Sequence, residues 1–388
     1  MKHILFISPD NPFLKRSGGQ IFDFATIMRL SKIFVVHVAI VADEQVIEQY
    51  NNVVIHYLCR RFERIGTLRG KFEFFFQLFF IRLPRASSII TIPKNIELLQ
   101  KEIDKNGIQL VVYNHLESIV FVDLSVKNKA LIHHNNEGKL AQTLAQKEKS
   151  IVKKLFYLIE SYKIHLLEKT LKNESLDHFA LSADELEEIS VMVNTKCDLF
   201  PVQIGAEVME YKQEKDFLYI FGNWDYLPTR EGLEYIINFL DKGNKEIKLK
   251  VSGYCSSEKF ITRLKAISYI EYLGFVQEQT VKNLLNTAKL TIIPIFSGAG
   301  VKIKLVEALE CNACILTTKK ALEGLPNVIL LEQAVELFDD LDKLSEKIEL
   351  LLYDDQNRES LRKASTVYIR YYQELADQAM MKLVELAI

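Results

Sequence analysis

The stretch Pro294-Ile295-Phe296-Ser297-Gly298-Ala299-Gly300-Val301-Lys302-Ile303-Lys304-Leu305-Val306-Glu307-Ala308-Leu309-Glu310-Cys311 decides the reading of this chain. The apolar run from Leu290 to Pro294 predicts a strand. Gly298 and Gly300 predict a loop, and an amphipathic helix follows at once. Lys304 and Glu307 lie three apart and share a helix face. Leu305, Ala308 and Leu309 fall on another face, suited to packing on a sheet. A glycine turn feeding a helix N-terminus is an anion site, because its unpaired N–H groups and the helix dipole both favour phosphate. A lysine one turn in adds a full charge, and a carboxylate one turn further can accept hydrogen bonds from sugar hydroxyls. The pattern fits a nucleoside diphosphate with its ribose. It equally fits an ordinary strand-loop-helix carrying a surface Lys–Glu pair.

Working outward, 388 residues predict two domains, and 48% hydrophobic with 26% charged residues is a globular composition. A net charge of −2 gives no global attraction to nucleic acid. The five cysteines are scattered and odd in number, which argues against a disulfide framework and fits a reducing compartment. Cys311 and Cys314 have CxxC spacing but no second pair, so no metal site is expected there. The apolar run at the start is broken by Pro9 and Asp10 and is too short for a signal peptide. No window of about 20 uncharged apolar residues occurs, so no span of a membrane is expected.

Ile4–Ser8 reads as a buried parallel strand, followed by Gly18-Gly19, a helix over Gln20–Lys32 and a strand over Val35–Val41. This opens a Rossmann-like unit, although the GxGxxG spacing is missing. The glycine pair is either a simple turn or a place where a ligand approaches the backbone. After a strand at Val53–Leu58, seven basic residues (Arg60, Arg61, Arg64, Arg69, Lys71, Arg82 and Arg85) interleave with phenylalanines from Phe72 to Phe80. Two readings stand: a basic, aromatic helix in an anionic membrane interface, or a core-facing helix with a solvated basic face. The density of phenylalanine favours burial or an interface.

A helix over Ile96–Lys105 and strands at Leu110–Asn114 and Ala130–His133 follow. The second strand ends in His133-His134-Asn135-Asn136-Glu137. A polar cluster at a strand's carboxyl end is where open parallel sheets place ligand chemistry. His134 is a candidate general base or hydrogen-bonding group, while Asn135 or Asn136 can cap a helix with Glu137 in its first turn. Lys139–Glu174 reads as one long helical stretch. A strand at Asp177–Ser182, a helix at Ala183–Val191 and Lys196–Val202 close this half. Gly205–Asp216 marks the junction. The pattern restarts at Phe217–Phe221, with a loop from Gly222 to Arg230, helices at Glu231–Leu240, Ser257–Ala266 and Gln279–Ala288, and strands at Ile247–Ser252 and Ile270–Leu273. Ala313–Thr317 and Val328–Leu331 read as later strands. Two helices, about Leu337–Tyr353 and Arg358–Leu386, end the chain.

Three separated motifs in fixed order carry a resemblance. His134-Asn135-Asn136-Glu137 resembles an HNVE motif. Phe221-Gly222-Asn223-Trp224-Asp225-Tyr226 with Pro228 resembles a segment that opens a second domain. Pro294–Leu309 followed by Glu323-Gly324-Leu325 resembles a glycine-rich donor-site signature. Over nearly its whole length the chain is similar to retaining glycosyltransferases of GT-B fold, in family four (glycosyl transferases group 1), and to its HNVE-motif bacterial branch. The resemblance implies α/β architecture with two Rossmann-like domains whose parallel sheets face a central cleft. Residues 1–204 would bind the acceptor and 205–369 the nucleotide-sugar, with the last helix, about 370–388, returning to the first domain.

By position, the resemblance assigns donor ribose to Glu307 and diphosphate to the amides around Gly298, Ala299, Gly300 and Val301. Lys302 or Lys304 adds charge, and Arg230 is a weaker phosphate candidate. Gly274, Phe275 and Val276 would touch the base. Gly18, Gly19, Gly222 and Asn223 would line the donor site, and His134 with Glu137 would stand at the reacting centre. Fixed cationic and N–H donors can stabilise a nucleoside diphosphate leaving group, so no metal or other cofactor is expected. The earlier of the family's two glutamates is replaced by Ala299, Asn136 stands for valine, and Gln203–Glu207 departs from the usual hinge. The expected activity moves a sugar from a nucleotide-sugar to a glycan or lipid-linked acceptor in bacterial surface polysaccharide biosynthesis. The expected location is the cytoplasm, at the inner membrane face. A catalytically silent partner subunit and a sugar-nucleotide 2-epimerase are the alternatives.

Overall fold

The computed structural model describes residues 1–42, 46, 48–61, 68–205, 208–241 and 248–388. Arg64, the hinge residues Ala206 and Glu207, the strand start Ile247, and the side chains of Arg69 and Lys71 lie outside the described residues. The chain forms two compact units. One comprises Met1–Lys15, Gly19–Pro201 and Asp377–Ile388. The other comprises Val202–Ala376 with Arg16–Gly18.

The first unit holds a seven-stranded parallel sheet: β1 (His3–Ser8), β2 (Val35–Ile40), β3 (Val53–Tyr57), β4 (Leu110–Asn114), β5 (Asn128–His133), β6 (Asp177–Ala180) and β7 (Cys197–Leu199), in the order β3-β2-β1-β4-β5-β6-β7. Its helices are α1 (Gly18–Leu30), α2 (Leu68–Phe80), α3 (Arg85–Ile90), α4 (Pro93–Asn106), α5 (Glu137–Lys147), α6 (Ile151–Thr170) and α7 (Leu186–Val193). Strands β1 and β4 carry the buried apolar runs Ile4–Ile7 and Leu110–Val112, as expected of a parallel sheet covered on both faces.

The second unit has a six-stranded parallel sheet: β8 (Lys215–Phe221), β9 (Leu249–Ser252), β10 (Ile270–Gly274), β11 (Ala288–Ile293), β12 (Ile315–Thr317) and β13 (Glu336–Leu337), in the order β10-β9-β8-β11-β12-β13. Along β8 the side chains alternate: Phe217, Tyr219 and Phe221 enter one core, Leu218 and Ile220 the other. The helices are α8 (Leu227–Leu240), α9 (Glu258–Lys265), α10 (Glu278–Thr287), α11 (Ile303–Glu310), α12 (Val328–Ala334), α13 (Leu341–Tyr353) and α14 (Asp355–Glu385). In α14, the Arg358 guanidinium is buried, pairs with Glu214 and donates to the Leu351 carbonyl at 2.6 Å. Arg362 donates to the same Glu214 at 3.1 Å. The end of α14 belongs to the first unit, where Asp377 pairs with Arg29 at 2.6 Å.

Two expectations are corrected, and one of two open readings is removed. Val328–Leu331 is helical, not a strand: Asn327, at φ +53°, accepts from the Leu330 amide and starts α12, and Leu331 and Ala334 are buried three residues apart. Lys139–Glu174 is not one helix but the pair α5 and α6, broken at Glu148, whose backbone is extended. Gly138, Ala141 and Ala145 give α5 a low face, and a Cβ on Gly138 would lie 2.5 Å from the His165 ring of α6. The phenylalanines of α2 are not core residues: Phe72, Phe75, Phe76, Phe79 and Phe80 are all exposed.

A chain of imidazoles crosses the edge of the first sheet. His3 Nδ1 lies 2.9 Å from His37 Nε2, and His37 Nδ1 lies 3.0 Å from His56 Nε2. Burial, then the charges of His56 and His3, lower the His37 pKa from 6.5 to about 4. The unfolded chain therefore binds more protons than the folded one between those values. His37 contributes its full stability above pH 6.5 and loses it as pH falls toward 4. Urea unfolding at about pH 7 and about pH 4.5 should show the wild type losing on the order of 2–3 kcal/mol more than His37→Gln over that interval. Equal losses would show that His37 is not held neutral by the fold.

Candidate functional site

In the first sheet the strand order reverses between β1 and β4, which leaves a crevice beyond their carboxyl ends. Strand β4 delivers Asn114 and then His115, which is held at φ +68°, a strained value for a non-glycine residue. Strand β5 delivers His133 and then His134. His134 Nε2 lies 2.9 Å from Asn114 Oδ1, so this nitrogen donates and Nδ1 keeps its lone pair. Burial, followed by the charges of His115 and His133, takes the His134 pKa well below 6.5, so the ring is neutral.

Asp23, on the buried face of α1, completes the group. Its Oδ2 accepts from Ser8 Oγ at 3.1 Å and faces His115 Nε2 at 3.5 Å, while its Oδ1 lies 3.5 Å from His134 Nε2. Burial disfavours the His115 cation, but the hydrogen bond and charge of Asp23 outweigh it and raise the pKa to about 9. A cationic His115 thus stacks on a neutral His134, with ring centroids 3.5 Å apart. Gly18 and Gly19 open α1 rather than precede it, and a Cβ on Gly19 would lie 3.9 Å from both rings. Glu137 stands at the first position of α5 and accepts from Asn135 at 3.0 Å. Burial, then the nearby Glu117 charge, raises its carboxyl to about 7. Asn136 caps α5 by accepting from the Lys139 amide at 3.2 Å, so the capping role and the polar cluster coexist. Asp23, His115 and His134 also have the spacing of a metal site, as do His37, His56 and Glu102, with ligand atoms within 4.8 Å of one another.

The second sheet reverses between β8 and β11. Each of β8, β9 and β10 has a glycine at its carboxyl end: Gly222, Gly253 and Gly274. A Cβ on Gly222 would sit 2.5 Å from Lys304 Nζ, and one on Gly253 would sit 1.7 Å from the Gly222 carbonyl oxygen. The Gly253 amide donates to the Gly274 carbonyl at 2.8 Å. These absent side chains let Lys304 lie across the end of β8, where Nζ donates to the Phe221 carbonyl at 3.1 Å and approaches Thr229 Oγ1 at 3.4 Å. Burial brings the Lys304 ammonium down to about 8. Glu307, one turn further along α11, is raised to about 7 by burial and then by Glu278.

The loop after β11 is fixed from beneath. Thr317 Oγ1 donates to the Ile293 carbonyl at 2.7 Å, and Thr318 Oγ1 donates to that of Ile295. Gly298 at φ +106° and Gly300 at φ +67° turn the loop toward α11, and Lys302 Nζ donates to the Gly300 carbonyl at 2.5 Å. Ala299 is exposed, while Val301 is half-buried. Phe275, after the Gly274 turn, is 68% exposed, and Val276 is half-buried. Asn223 Oδ1 accepts from the Asp225 amide at 3.0 Å. Arg230 donates to the Trp224 carbonyl at 2.7 Å, pairs with Asp225 and covers the Phe260 ring. Its contacts serve the loop before α8.

Sequence reasoning missed Asp23, His115, Gly253 and Glu310. The buried Glu310 carboxylate accepts the Ile204 and Gly205 amides at 3.2 and 2.7 Å and thereby holds the entry to the second unit. Asp23 had a signal: it shares a helix face with Ile27 and Leu30, an unusual place for a carboxylate unless it is paired.

Two Rossmann-like units of this topology define the GT-B fold of glycosyltransferases. Residues 215–354, within the second unit, match the family model described as glycosyl transferases group 1. Sucrose-phosphate synthase from Thermosynechococcus elongatus shares the fold at a TM-score of 0.70 and 14% identity, over 100% of this chain and 99% of its own. WaaG, a glycosyltransferase involved in lipopolysaccharide biosynthesis, does so at 0.64 and 14%, over 98% and 99%. Anabaena HepE, solved in complex with UDP-glucose, does so at 0.66 and 12%, over 99% and 100%. An uncharacterized 44.6 kDa protein in the cps region of Klebsiella pneumoniae is 23% identical over 339 residues, 84% of each chain.

The glycine contacts set a test of the site's construction. Gly253→Ala places a side chain at φ +137° against a backbone oxygen, with no flexible group to yield. It should cost on the order of 3 kcal/mol in urea unfolding. A loss below about 1 kcal/mol would show that the ends of β8 and β9 are not closed as described.

Proposed function

We propose that the protein is a retaining glycosyltransferase. It takes a sugar from a nucleoside-diphosphate donor and passes it to a glycan or lipid-linked acceptor in surface polysaccharide biosynthesis. The observation that carries this reading is the cradle at the end of β11: a glycine loop, the N-terminus of α11, Lys304 across the end of β8, and Glu307 one turn on. The match of residues 215–354 to a glycosyltransferase family, the cps-region relative and the UDP-glucose complex of HepE support it.

In this reading the loop amides and the first turn of α11 meet the diphosphate, and Lys304 neutralises the charge that develops as the sugar–phosphate bond breaks. Lys302 adds a second cation at the loop, and no metal is required. Glu307 accepts hydrogen bonds from the ribose hydroxyls. Neutral His134 presents Nδ1 as an acceptor to a hydroxyl of the transferred sugar, held in place by Asn114. Glu137, poised near neutrality by burial, can exchange a proton with the acceptor.

Isothermal titration with UDP and UDP-glucose, followed by product analysis, tests the reading. Measured at about pH 8, where the Glu307 carboxyl is mostly ionised, Glu307→Ala should weaken nucleotide binding about 10–100-fold while thermal unfolding stays cooperative, since a charged hydrogen bond is removed. Unchanged affinity would remove Glu307 from the site. Binding without transfer or hydrolysis would favour the silent-subunit alternative, and an epimerised donor would favour the epimerase.

The Lys304 ammonium supplies a second test. It is fully charged below about 8 and loses its proton as pH rises through that value. UDP affinity should therefore fall by up to about tenfold per pH unit on the alkaline side. Lys304→Met should bind weakly and without that alkaline limb. An identical limb in the variant would assign the titration to another group.

A further inference from the structure

The largest feature that the donor site leaves unused is on the first unit. Helix α2 turns five phenylalanines outward, with Phe72 and Phe80 exposed by 74% and 75% and Phe75, Phe76 and Phe79 by 44–57%. The opening turns of α6 do the same: Ile151 and Val152 are 84% and 75% exposed, and Leu155 and Leu158 about half. The two helices are fixed side by side. Lys163 Nζ donates to the Gln77 carbonyl at 2.8 Å, and the Phe74 ring stacks on Phe156 with centroids 5.5 Å apart. Ring contacts continue from Phe74 to Phe75 and from Phe75 to Phe79. The apolar faces of both helices thus share one surface. The α2 rings alone expose the equivalent of about three whole phenylalanines, several hundred Å². A monomer rarely leaves a patch of that size to water.

We propose that this two-helix surface docks on an anionic lipid bilayer, with the phenylalanines and the α6 aliphatics entering the headgroup–acyl boundary. The charge around the patch selects this occupant. Lys147, Lys149, Lys153 and Lys154 are exposed at the turn into α6 and along its first turns, and Arg82 is exposed just past α2. Over residues 68–83 and 146–159 no acidic side chain is exposed; Glu73 and Glu148 are half-buried. Aromatic and aliphatic side chains ringed by cations match lipid, which offers a negative headgroup layer over hydrocarbon. A protein interface, taken as a whole, carries fewer lysines than the rest of a protein surface. No helix among the described residues is long and apolar enough to cross a membrane. The inference stands independently of the glycosyltransferase reading. It keeps the aromatic segment from Phe72 to Phe80 as the contact and adds the outer face of α6.

Flotation of the full chain with phosphatidylglycerol-containing vesicles tests it, with phosphatidylcholine vesicles alongside. The wild type should float with the anionic vesicles and less with the neutral ones. Paired Lys153→Glu and Lys154→Glu should lower anionic binding about tenfold or more, since each cation near the surface is worth roughly fivefold. Paired Phe72→Ser and Phe80→Ser should lower binding to both vesicle types. These side chains are exposed, so unaltered thermal unfolding is expected and separates docking from misfolding. Trp224, the single tryptophan, is fully buried, so a Phe76→Trp variant adds a reporter that should shift to the blue on anionic vesicles. Absence of flotation at low salt would overturn the proposal. So would a concentration-dependent dimer abolished by the Phe72→Ser and Phe80→Ser pair, which would make a second copy the occupant.

Discussion

An all-parallel sheet leaves room for a ligand only where its strand order turns back, because there the flanking connections depart to opposite faces. Each unit has one such place, between β1 and β4 and between β8 and β11. Everything of chemical interest follows from it. His115, His134 and the start of α1 stand at the first reversal; Gly222, Lys304 and the loop after β11 stand at the second. The long helices and most of the apolar sequence serve to cover the two sheets. The residues that reach these crevices come from strand carboxyl ends or from the first two turns of the helices that follow them.

The two crevices solve a common electrostatic problem in opposite ways. In the first unit a carboxylate is buried inside a helix face, which is tolerable only with a partner. Asp23 obtains one by holding His115 as a cation, and the strained backbone at His115 points the ring toward it. The neighbouring His134 is kept neutral by its burial and then by the charge of the His115 ring stacked on it. In the second unit Lys304 and Glu307 are drawn toward neutrality by burial, from opposite directions, to about 8 and about 7. Small changes around these groups, such as an arriving anion, change their charge state.

How much of this could be read beforehand depends on the range of the signal. Gly298 to Glu307 was legible because a positive-φ turn, a helical period and a charge pair lie within ten consecutive residues. The alternation of strands and helices was legible for a similar reason. Gly253 was not, because its requirement is a carbonyl oxygen of Gly222, thirty-one positions away. His115 was hidden in an apolar stretch and acquires its role only through Asp23. Val328–Leu331 misled because four apolar residues carry no period, and the deciding fact is Asn327 in a left-handed cap. The outward face of α2 was readable as helix and as unusual. Which side it turned to water depended on Gln77 and Leu78 being claimed by α6 and the core.

Ala299 gives the proposed donor site its particular balance. Where many relatives of the resembled family place a carboxylate, this chain has an exposed methyl group, so residues 298–302 bring amides and the Lys302 cation but no negative charge. In the proposed reading, an entering diphosphate would meet its first carboxyl at Glu307. Burial holds that group to about 7, so near neutral pH much of it is protonated and repels the phosphates weakly. The loop gains tolerance for the anion and loses an acceptor for sugar hydroxyls. In the proposed site, recognition of the sugar hydroxyls would then need acceptors outside residues 298–302.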